Sequence, residues 1–193
     1  MGKTIEILAK ICEEHLFQEK LLFVPSFSIG RQIGEWLTKL GRGWINLRFT
    51  TPAEYTRDLV GQDVAAAKLR VIGFEEIPLI VESLYKAEQT RSERGGYFEA
   101  ACEVTGIFKC LSKSLHELRL AGIDPERIDP RAFTIPEKGK DMVWLMKAYD
   151  QYLRENLCTD QAGLLSMGIH KMKVSPKDEG RAASLSCSPG KIQ

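Results

Sequence analysis

The sequence predicts an α/β fold: a partial parallel sheet followed by an all-helical subdomain. Short apolar runs ended by Pro or Thr alternate with amphipathic helices over the first 61 or so residues. That order of helix, strand, helix, strand, helix indicates right-handed crossovers in a parallel sheet. From Phe74 onward obvious strands stop, and apolar residues recur at three and four over four successive segments. With 193 residues, 44% of them hydrophobic and 27% charged, the chain has ample material for a core.

In a first helix, residues 4–19, Ile5, Leu8, Ile11, Cys12, His15 and Leu16 fall on one side, with Lys10, Glu13 and Glu14 on the other. "KLLFVPS" follows, and Leu21 to Val24, ended by Pro25, read as a strand buried on both faces. Ser26 or Ser28 then caps a helix lined by Ile29, Ile33, Trp36, Leu37 and Leu40, and Gly41 and Gly43 stop it. In "WINLRFTT" a strand runs from Trp44 or Ile45 through Phe49. Thr50 or Thr51 caps a short helix with Pro52 at its first position and Gly61 at its end. "LRVIG" at 69–73 adds one more short strand, so that 1–73 form an incomplete α/β subdomain.

Residues 74–172 read as the helical subdomain. "FEEIPLIVESLYKA" carries Ile77, Ile80, Val81, Leu84 and Tyr85, and Gly95-Gly96 break the chain after it. A long helix then repeats Phe98, Cys102, Thr105, Phe108, Leu111, Leu115 and Leu118 up to Gly122. After a Pro-rich connector, a helix from about Lys138 to Leu157 carries Met142, Leu145, Met146, Tyr149, Tyr152 and Leu153. Thr159 or Asp160 caps one more helix, through about His170. Residues 173–193, rich in Ser, Gly and Pro, bury too little to offset ordering entropy and are expected to be disordered.

Composition excludes several function classes. With 27 basic and 26 acidic residues the formal charge is +1, so any DNA contact must be local. No apolar run approaches the roughly 20 residues that span a bilayer. The N-terminus lacks an export signal, and the expectation is a cytoplasmic protein without a membrane partner. Five cysteines without a C-x-x-C pair argue against a disulfide framework or zinc site, and Cys12, Cys102 and Cys110 read as core residues. His15, His116 and His170 lie far apart. Lys109, Lys113, His116, Arg119 and Arg127 form a basic stripe, first a solvated face and only second a DNA track. No metal ligand set and no catalytic constellation assembles.

Two motifs carry candidate chemistry. Gly2, Lys3 and Thr4 match the last three letters of a phosphate-binding P-loop, whose backbone N–H groups need a preceding strand and Gly-rich loop. Without these, the triplet reads as a helix start with Thr4 as cap, and as a vestigial nucleotide site at most. Ser26, Ser28 and Arg31 follow a strand at the carboxyl edge of a parallel sheet, where α/β folds bind ligands; Thr50 and Thr51 occupy the equivalent place after the next strand. Helix capping is favoured over phosphate contact at both places on N-cap preference alone.

Taken in order, "LLFVPSFSIGRQIGEWLTKLG", "GWINLRFTTPAEYTRDLVG", "SLHELRLAGIDPERI" and "LMKAYDQYLRENLCTDQAGLL" resemble the N-terminal region of the B subunit of bacterial AddAB (RexAB) helicase-nucleases. Those relatives pair a superfamily 1 helicase-like, P-loop-NTPase-like N-terminus with a PD-(D/E)XK nuclease domain. The resemblance covers roughly residues 1–172 as an architecture. It implies Ser26, Ser28, Arg31, Thr50 and Thr51 as DNA contacts. It implies as partners single- or double-stranded DNA and a helicase subunit, in recombinational double-strand-break repair. The family pattern is cut at both ends: the Walker A loop is reduced to three residues, and no Walker B Asp or nuclease carboxylates appear. Neither ATP hydrolysis nor DNA cleavage carries over, and ATP and Mg²⁺ are implied only for full-length relatives or the partner subunit. The loss of amphipathic pattern near Met172 fits a truncated or frameshifted gene. The expectation is a catalytically incomplete helicase-like scaffold whose unpaired sheet edge favours self-association. The rival is a stand-alone protein-interaction module that never touches DNA.

Overall fold

The computed structural model describes residues 2–41, 43–91, 96–98, 102, 104 and 106–174. The expected disorder of the tail concerns positions that, from 175 on, lie outside these. The described chain is mostly helical and carries two small parallel sheets, in two compact units. One holds residues 2–59 and 171–174, the other Val60–His170.

The first unit is built on α1 (Gly2–Glu14), β1 (Lys20–Phe23), α2 (Phe27–Lys39) and β2 (Leu47–Thr50). On α1, Ile5, Leu8, Ala9 and Cys12 are buried at the expected three–four spacing, and they pack with Leu37 of α2 and Leu47 of β2. The helix stops at Glu14, short of the expected 19. Lys20 Nζ donates to the carbonyls of His15 and Gln18 at 2.6 and 2.7 Å, occupying acceptors just beyond the helix end. β1 and β2 pair in parallel, Lys20 with Leu47 through Phe23 with Thr50. β1 is half-buried to exposed, not buried on both faces as its apolar run suggested; among the described residues it pairs with β2 alone. β2 begins at Leu47, later than Trp44 or Ile45, because Asn46 takes φ 56° and its amide donates to the Phe17 carbonyl.

Close approach of α2 to β2 depends on two glycines. A Cβ on Gly30 would lie 2.9 Å from Phe49 Cβ, and one on Gly34 would lie 3.1 Å from the Trp44 ring. Both glycines are buried, so the helix backbone itself meets the strand side.

Helix α3 (Pro52–Ala66) runs through Gly61 instead of ending there. An isolated interior glycine costs about 1 kcal/mol against alanine, which is not enough to stop a helix followed by alanines. The stop comes at Lys68, with φ 53°, where the amides of Lys68 and Leu69 bond back to Ala65 and Val64.

In the second unit, β3 (Arg70–Val71) does not extend the β1–β2 sheet. It pairs in parallel with β4 (Cys158–Thr159), a strand the sequence pattern did not reveal. With Ile72 and Cys158, at this pair, pack α4 (Ile77–Arg91), α5 (Ile107–Leu120) and α6 (Pro136–Glu155), and α7 (Gln161–Val174), which belongs to this unit as far as His170, follows β4. Ile77, Ile80, Val81, Tyr85, Leu111, Leu115, Met142, Leu145, Met146 and Tyr149 form one core with Cys158. The long helix expected from Phe98 starts only at Ile107. Gly106 takes φ +91°, outside the range of a right-handed helix. Phe98 and Cys102 sit in turns and still pack on the core; Thr105 lies outside the described residues.

Candidate functional site

Because β1 and β2 are parallel, the loops that follow them leave the same edge of the sheet. The Val24 amide donates to the Thr50 carbonyl at 2.8 Å and prolongs the pairing to that edge. Ser26 is extended (φ -155°, ψ 158°) and caps α2, its Oγ accepting from the Ile29 amide at 3.4 Å. Thr51 does the same for α3: its Oγ1 accepts from the Glu54 amide at 3.2 Å. Of the open pairs of cap candidates, Ser26 and Thr51 are therefore the ones that bond. Capping uses each hydroxyl as an acceptor and leaves its hydrogen for an outside acceptor.

Ser28 and Arg31 are exposed on the first turns of α2. Thr50 is 2% exposed, and its hydroxyl points at the Thr51 carbonyl, 3.4 Å away, so this side chain does not reach the surface. Gly2, Lys3 and Thr4 form the exposed first turn of α1. Three aromatic side chains at the same edge were not anticipated. Phe23 at the end of β1 is 47% exposed and meets Tyr55 of α3 edge-on, centroids 5.2 Å apart at 87°. Phe27, at the start of α2, is 54% exposed. The available signal was positional: each lies within four residues of a cap.

Comparison with known proteins leaves the family open. No family model and no curated protein matches the chain at a significant level.

The second unit holds a buried ionic cluster that the sequence pattern concealed. Arg119 of α5 reaches Asp160, the cap of α7, with Nε to Oδ2 at 2.9 Å and Nη2 to Oδ1 at 3.2 Å, and its Nη1 bonds Asp150 of α6. Its guanidinium carbon lies 5.1 Å from the Tyr149 ring centre, and the Tyr149 hydroxyl donates to Asp160 Oδ2 at 3.4 Å. Asp160 Oδ1 also accepts from the Gly163 amide at 2.8 Å. Burial by itself would raise the Asp160 carboxyl. The hydrogen bonds and charge of Arg119, with the Gly163 amide and His116, outweigh it and hold the group below the usual carboxylate range. Burial, and next Asp160, push the Tyr149 phenol up. The guanidinium nitrogens and both Asp160 oxygens are engaged in bonds within the fold, so the arrangement ties α5, α6 and α7 together and offers no reacting group.

Arg119 thus leaves the basic stripe in which composition placed it. Its spacing was the missed signal: Leu111, Leu115 and Arg119 are four apart, on one helix face. Cys110 is exposed, against the core reading, whereas Cys12 is fully buried and Cys102 partly so. Among the described residues no group of three His, Cys, Asp or Glu side chains could hold a metal, and no helix is long and apolar enough to cross a membrane.

Proposed function

We propose that the first unit is a helicase-like scaffold that holds single-stranded DNA at the carboxyl edge of a partial, P-loop-NTPase-like parallel sheet. In this reading the chain is similar to the N-terminal region of an AddB-like helicase-nuclease subunit. It serves DNA binding and assembly with a helicase subunit in double-strand-break repair, in the cytoplasm. One observation carries the reading. Two successive junctions of strand, hydroxyl cap and helix open on the same sheet edge, and exposed aromatics flank them. Ser26, Ser28 and Thr51 supply hydroxyl donors, the start of α2 supplies backbone N–H groups, and Arg31 supplies charge for phosphates. Phe23 and Phe27 supply ring faces for unpaired bases, which a duplex would not present.

The test is fluorescence anisotropy of a labelled single-stranded oligonucleotide with the full chain, from 50 to 200 mM salt. Binding should weaken with salt, and Arg31→Ala should lower the slope of log affinity against log salt by about 1. Ser26→Ala should weaken binding at every salt concentration. Absence of binding at 50 mM would overturn the reading.

A further inference from the structure

Trp44 lies in the connection between α2 and β2 and is held from three directions. Gly34 of α2 leaves the space in which the indole sits, since a Cβ there would come 3.1 Å from Trp44 Cζ2. Phe49 meets the ring edge-on, centroids 5.8 Å apart at 68°. The indole Nε1–H donates to Thr38 Oγ1 at 3.3 Å, and the Thr38 hydroxyl donates in turn to the Gly34 carbonyl at 2.9 Å. An indole fixed this way has little rotamer freedom left to lose on binding. The half-buried ring is part of the wall of an open groove of about 790 Å³ along α2, whose lining also includes Phe27, Ser28, Arg31, Glu35 and Lys39.

We propose that this groove continues the DNA path from the sheet edge along α2, with Trp44 stacking on an unpaired base and Lys39 contacting a second phosphate. The inference rests on the reading of the carboxyl edge given above. Ser28, Arg31, Glu35 and Lys39 follow at three and four, one helix face, and Ser28 and Lys39 stand about 16 Å apart along the axis. That length spans several nucleotides of a single strand, with one cation near each end and aromatic surface between. Charge selects this occupant: two cations outnumber one carboxylate on the rim. Glu35 stands between the cations, where it opposes a phosphate backbone.

The experiment titrates the full chain into labelled oligothymidylate and into an abasic oligonucleotide of the same length, at 50 mM salt. Trp44→Ala should weaken oligothymidylate binding about five-fold or more, as expected for one stacked base. Trp44→Phe should stay within about two-fold of the parent, because it keeps a ring face. Neither substitution should alter binding of the abasic strand. Glu35→Gln should tighten both by about two-fold. If Arg31→Ala weakens binding while the Trp44 and Glu35 variants match the parent, DNA stops at the sheet edge and the groove proposal is overturned. The proposal also falls if Trp44→Ala weakens both strands equally, since that marks a structural role. If Arg31→Ala changes nothing either, the edge reading itself fails. Should Trp44→Ala not fold, Glu35→Gln still decides: tighter binding of both strands supports the groove path, and parent-like binding overturns it.

Discussion

Arg119 grips Asp160 with two hydrogen bonds across the second unit, joining α5 to the cap of α7, while its remaining nitrogen bonds Asp150 on α6. Asp160 is 1% exposed, so without Arg119 its charge has no water to fall back on, while the Arg119 side chain keeps 13% of its surface exposed. Removing one member of such a pair leaves the other buried and uncompensated. Arg119→Ala should therefore destabilise the second unit by about 3–5 kcal/mol in urea unfolding. The double variant Arg119→Met with Asp160→Asn should cost less than the sum of the two single variants, because it removes the orphaned charge along with its partner.

The same pair makes stability acid-sensitive. The Asp160 carboxyl is held below its ordinary value in the folded chain, so as pH falls the unfolded chain takes up the proton first. The contribution of the pair is fully present above about pH 4, where the unfolded carboxyl is ionised, and is lost as pH falls below that through the folded value. Urea midpoints measured from pH 6 down to pH 3 should fall at the acid end. In Asp160→Asn that part of the decline should vanish.

Two glycine-to-alanine substitutions should act in opposite directions. Gly30→Ala puts a methyl group 2.9 Å from Phe49 Cβ, a rigid part of β2, and should cost about 1–3 kcal/mol despite the better helix propensity. Gly61→Ala lies inside α3 with nothing within 4 Å of the added carbon, and should stabilise by about 0.5–1 kcal/mol. Thermal unfolding of the two variants side by side checks both signs.

Thr51→Ala removes the acceptor of the Glu54 amide and should cost about 1 kcal/mol, whereas Thr51→Ser should keep nearly all of it. A chemical-denaturation comparison of the three chains checks this. Equal losses in both variants would mean that the Thr51 methyl group, and not its hydroxyl, is what matters.

What the sequence by itself determined are the features whose cause is local. The apolar faces of α1 and α6 follow from three–four periodicity, and Ser26, Thr51 and Asp160 sit where short polar side chains cap helices. At the candidate site, Ser26, Ser28, Arg31 and Thr51 were legible for the same reason, while Phe23, Phe27, Tyr55 and Trp44 read as ordinary apolar residues. Only the tertiary structure decided the rest. A two-residue strand has no periodicity, so nothing near Arg70 announces its partner at Cys158. Arg119 reads as a surface cation until the fold brings two carboxylates to it, because burial of a charge depends on partners distant in sequence. Trp44 reads as strand until Gly34 and Phe49 hold its ring against α2. Long-range contacts settle these three cases; the spacing of Arg119 after Leu115 marks its helix face but not the carboxylates it meets there.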